Sequence, residues 1–119
     1  MTAVHESACA AEFDAQFLDA YTGGDNDVRD QVLKLFLVQS DMLLGRLESA
    51  IGSPKAWAEA AHSLKGCARS VGANKVADLA ARAEGELSAS KSAQIQQLDE
   101  LRSAFKAASA LVEALIRSA

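Results

Sequence analysis

The sequence predicts an all-α protein, an antiparallel up-down four-helix bundle with an additional short N-terminal helix. Three observations support this fold class. Half of the residues are hydrophobic, many of them alanine, and there is a single proline. Apolar residues recur every three or four positions, and no stretch alternates as a strand would. The segments between the helical stretches are short, which favours antiparallel neighbours. All 119 residues are expected to form a single domain, residues 1–119.

The first predicted helix covers about residues 8–22 and ends at the sequence TGGD. The second helix follows GGDND, where Asp25 or Asp27 can cap it by accepting a hydrogen bond from a free backbone N–H group. This helix ends at the sequence GSP, and its apolar stripe consists of Val28, Val32, Leu35, Phe36, Leu43, Leu47 and Ile51.

The third predicted helix spans about residues 54–70, because Ser53 and Pro54 form a cap followed by a first-turn proline. After the break SVGAN, a fourth helix carries the apolar residues Val76, Leu79, Ala80, Ala83 and Leu87. The polar connector SASKS leads to a last helix with a stripe formed by Ile95, Leu98, Leu101, Phe105, Ala108, Val112 and Leu115.

Charge and composition exclude several function classes. The net charge of −4 and the pI near 5.1 argue against a nucleic-acid partner, because binding a phosphate backbone requires a concentrated basic surface. No apolar run is long enough to span a membrane, and the start MTAVHESACAAEF lacks the features of a signal peptide. Cys9 and Cys67 lie far apart, which indicates neither a disulfide framework nor a zinc site. We therefore expect a cytoplasmic protein without a membrane partner.

The third helix carries a polar patch centred on His62. Since each residue advances about 100° around a helix, Lys65 lies about 60° from His62 on one side, Gly66 about 40° on the other, and Arg69 about 20° away. The opposite face is apolar and is predicted to face the core; it comprises Trp57, Ala60, Ala61, Leu64, Cys67, Ala68 and Val71. His62 is therefore expected to point outward.

The chemistry of this patch fits phosphoryl transfer. A neutral imidazole nitrogen is a competent nucleophile near neutral pH. Nearby cations favour the uncharged ring and can neutralise phosphoryl oxygens. Gly66 costs about 0.5–1 kcal/mol relative to alanine in a helix, and it would let another protein approach the histidine closely. The same residues also fit an ordinary solvated face, with Gly66 permitting close helix packing.

The run AHSLKGCARSVGA resembles the signature of histidine-containing phosphotransfer (HPt) domains, in which A-H-x-L-K-G precedes a small residue and a Leu/Val-Gly-Ala turn. The segments FLDAYTGGD, VLKLFLVQSDMLLGRLESAI and VADLAARAEGEL also occur in the expected order, so the resemblance covers roughly residues 13–90. The final helix matches only in length and apolar pattern. Ala83 and Cys67 depart from the residues that the family more often has at these positions.

The resemblance implies a phosphorelay carrier that is not an enzyme with its own nucleotide site. His62 would be the phosphoacceptor, Lys65 would contact the phosphoryl oxygens or the docked partner, and Gly66 would leave room for that partner. Glu84 matches a position that often flanks the histidine from the next helix, whereas Arg69 is assigned to the site by its helical angle alone. No cofactor is expected on this chain, and Mg²⁺ is expected on the partner receiver domain.

The implied partners are response-regulator receiver domains and a sensor or hybrid histidine kinase, with the chain itself expected to be a monomer. Two alternatives stay open. One is a helical adaptor that binds a receiver or kinase domain without being phosphorylated. The other is the dimerisation module of a sensor kinase, although Ser63 stands where that module usually has an acidic residue, and the only proline lies upstream. Docking would require an apolar collar around the histidine, whose residues the sequence does not separate from the core.

Overall fold

A computed structural model describes residues 20, 22–86 and 90–118, with side chains described up to residue 116. It contains four α-helices: α1 (Asn26–Ser49), α2 (Pro54–Ser70), α3 (Asn74–Gly85) and α4 (Lys91–Ser118). No strand occurs among these residues, so the all-α prediction is confirmed for them. The predicted N-terminal helix lies almost entirely outside the described residues, as does Leu87.

The four helices form a closed bundle. Helix α1 packs against α2 and α4, and α3 packs against the same two helices. The connections between consecutive helices contain four, three and five residues. Connections of this length make consecutive helices antiparallel, as the sequence predicted.

The helix ends follow local sequence signals. Asp25 caps α1, because its carboxylate accepts the backbone N–H groups of Asp27 at 2.9 Å and Val28 at 3.1 Å. Ser53 and Pro54 begin α2 as predicted, although the Ser53 side chain makes no capping hydrogen bond.

A glycine in the left-handed conformation ends α2. Gly72 has a φ of 77° and donates its N–H to the carbonyl of Arg69, while Ala73 donates to the carbonyl of Ala68. This pair of hydrogen bonds is a Schellman motif, which satisfies carbonyl groups at the end of α2 and reverses the chain into α3.

The core contains residues from all four helices. Trp57 is buried, and its indole Nε1 donates to the carbonyl oxygen of Ala83 at 3.2 Å, which joins α2 to α3. Phe36 and Phe105 meet edge to face with ring centroids 5.9 Å apart, which joins α1 to α4. The other large buried side chains are Leu33, Leu43, Leu44, Leu47, Leu64, Val71, Val76, Leu98, Leu101 and Val112.

The apolar stripe predicted for α1 was partly wrong. Val28 and Leu35 are exposed, whereas Leu33 and Leu44, which the prediction omitted, are buried. The segment VLKLFLV has apolar residues on more than one side of the helix. Periodicity therefore does not select the core face here, and packing against α2 and α4 selects it instead.

The stripe predicted for α4 also needs one correction. Ile95 is exposed, and its neighbour Gln94 is buried although it is polar. The Gln94 side-chain oxygen accepts a hydrogen bond from the backbone N–H of Gly52 at 2.8 Å, so this N–H group in the turn between α1 and α2 has a partner. This hydrogen bond compensates for the burial of a polar group.

We expect Gly72→Ala and Gly45→Ala to change stability in opposite directions. Alanine at position 72 would adopt a left-handed conformation that costs about 1–2 kcal/mol. Gly45 lies within α1 with open space around it, so alanine there should stabilise the helix by about 0.5–1 kcal/mol. Urea unfolding followed by circular dichroism measures both changes. Equal destabilisation by the two variants would contradict the role of Gly72 in the turn.

Candidate functional site

Three polar side chains meet where α2 packs against α3. Nδ1 of His62 lies 2.7 Å from Oε2 of Glu84, and Nζ of Lys65 donates to Oε1 of the same carboxylate at 2.5 Å. One carboxylate on α3 therefore holds two side chains that are three residues apart on α2. We call this arrangement of His62, Lys65 and Glu84 the polar clamp.

The packing of α2 against α3 positions the clamp. Small residues are buried where these helices meet, including Ala61, Ala68, Ala80 and Ala83, all of which are fully buried. Small side chains allow helix axes to approach closely. The hydrogen bond from Trp57 to the carbonyl of Ala83 anchors α3 one residue before Glu84. This packing places the Glu84 carboxylate on the side of α2 that carries His62.

The exposure of the three side chains differs in a way that suits their chemistry. The side chain of His62 is 68% exposed, whereas those of Glu84 and Lys65 are 28% and 19% exposed. The prediction that His62 points outward is confirmed. Lys65 was expected to share that exposed patch, but its ammonium group folds back onto Glu84 and is mostly covered.

The electrostatics of the clamp determine which nitrogen of His62 is free. The hydrogen bond from Lys65 lowers the pKa of the Glu84 carboxyl below its ordinary range; partial burial opposes this, and the contact with His62 adds to it. An ionised carboxylate only accepts hydrogen bonds, so Nδ1 of His62 must carry the proton that it donates. In the neutral ring, the lone pair is then on Nε2, and the His62 side chain as a whole is largely exposed. A neutral imidazole in this tautomer is a nucleophile at Nε2.

Gly66 lies on the other side of His62, facing α1. A Cβ atom built at Gly66 would have nothing within 4 Å, so the absence of a side chain leaves open space. This space belongs to an open groove of about 460 Å³ between α1 and α2, lined by Gln39, Met42, Leu43, Arg46, Ser63, Gly66 and Cys67. Internal helix packing therefore does not require Gly66.

Two other predicted residues lie outside the clamp. Arg69 is exposed and has no hydrogen bond or ion pair through its side chain in the part of the chain that the structure describes. Cys67 is half-buried, as its place on the core face predicted, and burial raises the pKa of its thiol. Its Sγ contacts Oγ of Ser40 at 3.7 Å, a partly buried polar contact that the sequence analysis missed because the partners lie 27 residues apart.

The described residues hold no group of three or more His, Cys, Asp or Glu side chains arranged to bind a metal ion. Asp25, which lies in an acidic segment at the start of α1, acts as a helix cap. None of the described helices is long and apolar enough to cross a membrane.

We expect Glu84→Gln to change how stability depends on pH. Because the fold lowers the pKa of Glu84, the wild type gains stability from the carboxylate above the ordinary glutamate pKa of about 4.3 and loses it as the pH falls through the lower folded value. The wild type should therefore be more stable than Glu84→Gln at neutral pH, and the difference should shrink in acid. Urea unfolding of both proteins at pH values from about 3 to about 7 measures this difference in stability.

Glu59→Gln is the matched control, because Glu59 is an exposed carboxylate on α2 with no ion pair among the described residues. Its stability difference from the wild type should not change over the same pH range. If the two variants behave alike, Glu84 does not form the clamp in solution.

Comparison with known protein families places these observations in context. The family model described as the Hpt domain matches residues 31–117, a range that contains His62, Lys65, Gly66 and Glu84. Searches of the curated proteins and of the solved structures found no match. Since the family model covers most of the sequence, the chain belongs to the family of Hpt domains, the phosphotransfer carriers of two-component phosphorelays.

Proposed function

We propose that this protein accepts a phosphoryl group on Nε2 of His62 and transfers it reversibly to or from an aspartate of a receiver domain. The observation that carries the proposal is the 2.7 Å contact between Nδ1 of His62 and Glu84, which engages Nδ1 and leaves Nε2 as the nitrogen of this largely exposed ring that is available to react. Membership of the Hpt family supports the same function. The direction of net phosphoryl flow depends on the partner.

In the accepting direction, Nε2 attacks the phosphorus atom of an aspartyl phosphate. The N–P bond forms, the P–O bond to the aspartate breaks, and the aspartate leaves as a carboxylate. Nδ1 keeps its proton throughout, so the phosphorylated ring carries a positive charge. Glu84 stabilises that charge through its hydrogen bond to Nδ1, and the same contact holds the ring in one orientation.

Lys65 and Gly66 contribute in different ways. Lys65 lies three residues from His62 on the same helix, and its ammonium group is held by Glu84. It would contact the oxygens of a phosphoryl group on Nε2 by leaving that ion pair. Gly66 has no side chain to obstruct the approach of a receiver domain. Arg69 adds positive charge further along α2. The Mg²⁺ expected on the receiver would supply further positive charge to the phosphoryl oxygens.

The expected partners are receiver domains and a sensor or hybrid histidine kinase, and the chain is proposed to act as a cytoplasmic monomer. The adaptor alternative keeps the partners but gives His62 no chemical role. The clamp favours the carrier, because an adaptor has no need of a carboxylate that determines the tautomer of an exposed histidine.

His62→Gln should abolish phosphorylation without unfolding the protein, because the side chain is largely exposed. The purified wild type and variant are incubated with phosphoramidate and, separately, with phosphorylated receiver domains, and intact mass is measured. We expect an acid-labile, alkali-stable phosphoryl adduct on the wild type alone. Receiver binding by a wild type that no donor phosphorylates would instead support the adaptor.

Lys65→Ala and Gly66→Gln should separate chemistry from docking. Loss of Lys65 should slow uptake from both phosphoramidate and a receiver, because the phosphoryl oxygens lose a cation. Gly66→Gln should leave uptake from phosphoramidate unchanged and slow transfer from the receiver by at least about tenfold, because the new side chain occupies the approach path. The measurement is the rate of phosphoryl uptake by each variant from phosphoramidate and from the phosphorylated receiver domain. Equal effects of Gly66→Gln on both would exclude a role in docking.

A further inference from the structure

The polar clamp contains two contacts that can break independently of each other. Glu84 accepts from Lys65 through Oε1 and from His62 through Oε2, so each donor has its own carboxylate oxygen. In the unphosphorylated protein with a neutral imidazole, Lys65 is the partner that brings a full positive charge to Glu84. Loss of the Lys65 contact would therefore remove a charge from the clamp and leave the hydrogen bond to His62 in place.

Phosphorylation changes the charge of the other partner of Glu84. In the transfer proposed above, neutral His62 gains a phosphoryl group at Nε2 and keeps its proton at Nδ1. The ring then carries one positive charge, and a phosphoryl group on a side chain carries a charge of about −1.5 to −2 at neutral pH. Glu84 would then contact two cations, while a stronger anion lies beside them.

Lys65 has the reach to contact either anion. It lies three residues from His62 on α2, where the Cβ atoms of two such residues are about 5–6 Å apart. Its side chain is a flexible four-carbon stem that ends in three hydrogen-bond donors. Because Coulomb attraction grows with charge, a phosphoryl group attracts the ammonium more strongly than a carboxylate does at the same distance. The charged ring meanwhile compensates Glu84.

The other charged side chains around His62 are less suited to this role. On α2, Lys65 lies about 4.5 Å further along the helix axis than His62, whereas Arg69 lies about 10.5 Å further. Glu59, one turn before His62, is an anion. On α1, Arg46 lies across the groove that contains Gly66, on the side of His62 away from the clamp. Lys65 is therefore the nearest cation on α2 and the one that the clamp holds.

We propose that phosphorylation of His62 makes Glu84 exchange partners: the phosphorylated ring keeps its contact with Oε2, while Lys65 leaves Oε1 and pairs with the phosphoryl oxygens. This inference rests on the proposed function. When the N–P bond breaks during transfer to a receiver aspartate, the electron pair of that bond returns to Nε2 and Lys65 returns to Glu84. The ion pair between Lys65 and Glu84 thus belongs to the unloaded carrier alone.

The exchange leaves no charge of the clamp unpaired in either state. In the unloaded protein, Lys65 compensates Glu84, whose side chain is 28% exposed. In the loaded protein, the ring compensates Glu84 and Lys65 compensates the phosphoryl group. A partly covered charge without a partner is costly, so this arrangement lowers the cost of moving the phosphoryl group on and off the histidine.

A double-mutant cycle on Lys65 and Glu84 tests the exchange. The wild type, Lys65→Ala, Glu84→Gln and the double variant are unfolded in urea, before and after loading with phosphoramidate, and intact mass confirms the loading. The cycle gives the energetic coupling between the two side chains in each state. Lys55→Ala replaces Lys65→Ala in the control cycle, because Lys55 is an exposed lysine of α2 with no ion pair among the described residues.

We expect Lys65 and Glu84 to be coupled in the unphosphorylated protein and to lose this coupling on phosphorylation. The control cycle should show no coupling in either state. The ³¹P NMR signal of the phosphorylated protein identifies the new partner. It should shift in Lys65→Ala, because the phosphoryl oxygens lose a contact with the ammonium, and it should stay unchanged in Lys55→Ala.

The inference is overturned if the coupling is the same in both states, because Lys65 then stays on Glu84. Absence of coupling in the unphosphorylated protein also overturns it. Loss of coupling on phosphorylation without a ³¹P shift in Lys65→Ala would mean that Lys65 moves to solvent, which contradicts its pairing with the phosphoryl group. Failure of the proposed function has a different signature, since the wild type itself would then gain no phosphoryl group from phosphoramidate or from a receiver.

Discussion

Small side chains let α2 and α3 pack closely enough for one carboxylate on α3 to reach two donors on α2. The site depends on this approach, because Glu84 accepts from His62 and Lys65 only while the helix axes stay close. Buried alanines provide the space, the Gly72 turn returns the chain directly into α3, and the bond from Trp57 to the carbonyl of Ala83 holds the register. An exposed histidine thereby acquires a defined tautomer without being buried.

The two sides of His62 have different physical characters. The α3 side is polar and internally satisfied, since the charges of Lys65 and Glu84 compensate each other. The α1 side is open, with a glycine, a groove and exposed apolar side chains. A carrier that must meet more than one partner benefits from this separation, because the contacts that orient the imidazole do not have to break when a partner binds.

The most informative departure from expectation concerns Lys65. Its helical angle placed it in the exposed patch with His62, which suggested a cation facing solvent and ready for phosphoryl oxygens. In the folded protein the ammonium group is paired with Glu84 and mostly covered. The lysine therefore contributes first to lowering the pKa of Glu84, and through Glu84 to the tautomer of His62. Contact with a phosphoryl group would require Lys65 to leave that pairing, so the two roles compete.

The sequence alone determined the all-α class, the approximate limits of the helices in the described residues, and the outward direction of His62. These features depend on local signals such as the Asp25 cap, the Ser53–Pro54 start and the angles within one helix. Only the family resemblance assigned Glu84 to the site, since nothing in the spacing of residues 62 and 84 implies that they are in contact. The contact of Lys65 with Glu84, the burial of Leu33 in place of Leu35, and the exposure of Val38 and Met42 were decided by the tertiary structure. The physical reason is that periodicity describes one helix at a time, whereas the choice among several apolar faces, and every contact between distant residues, depends on how the helices pack together.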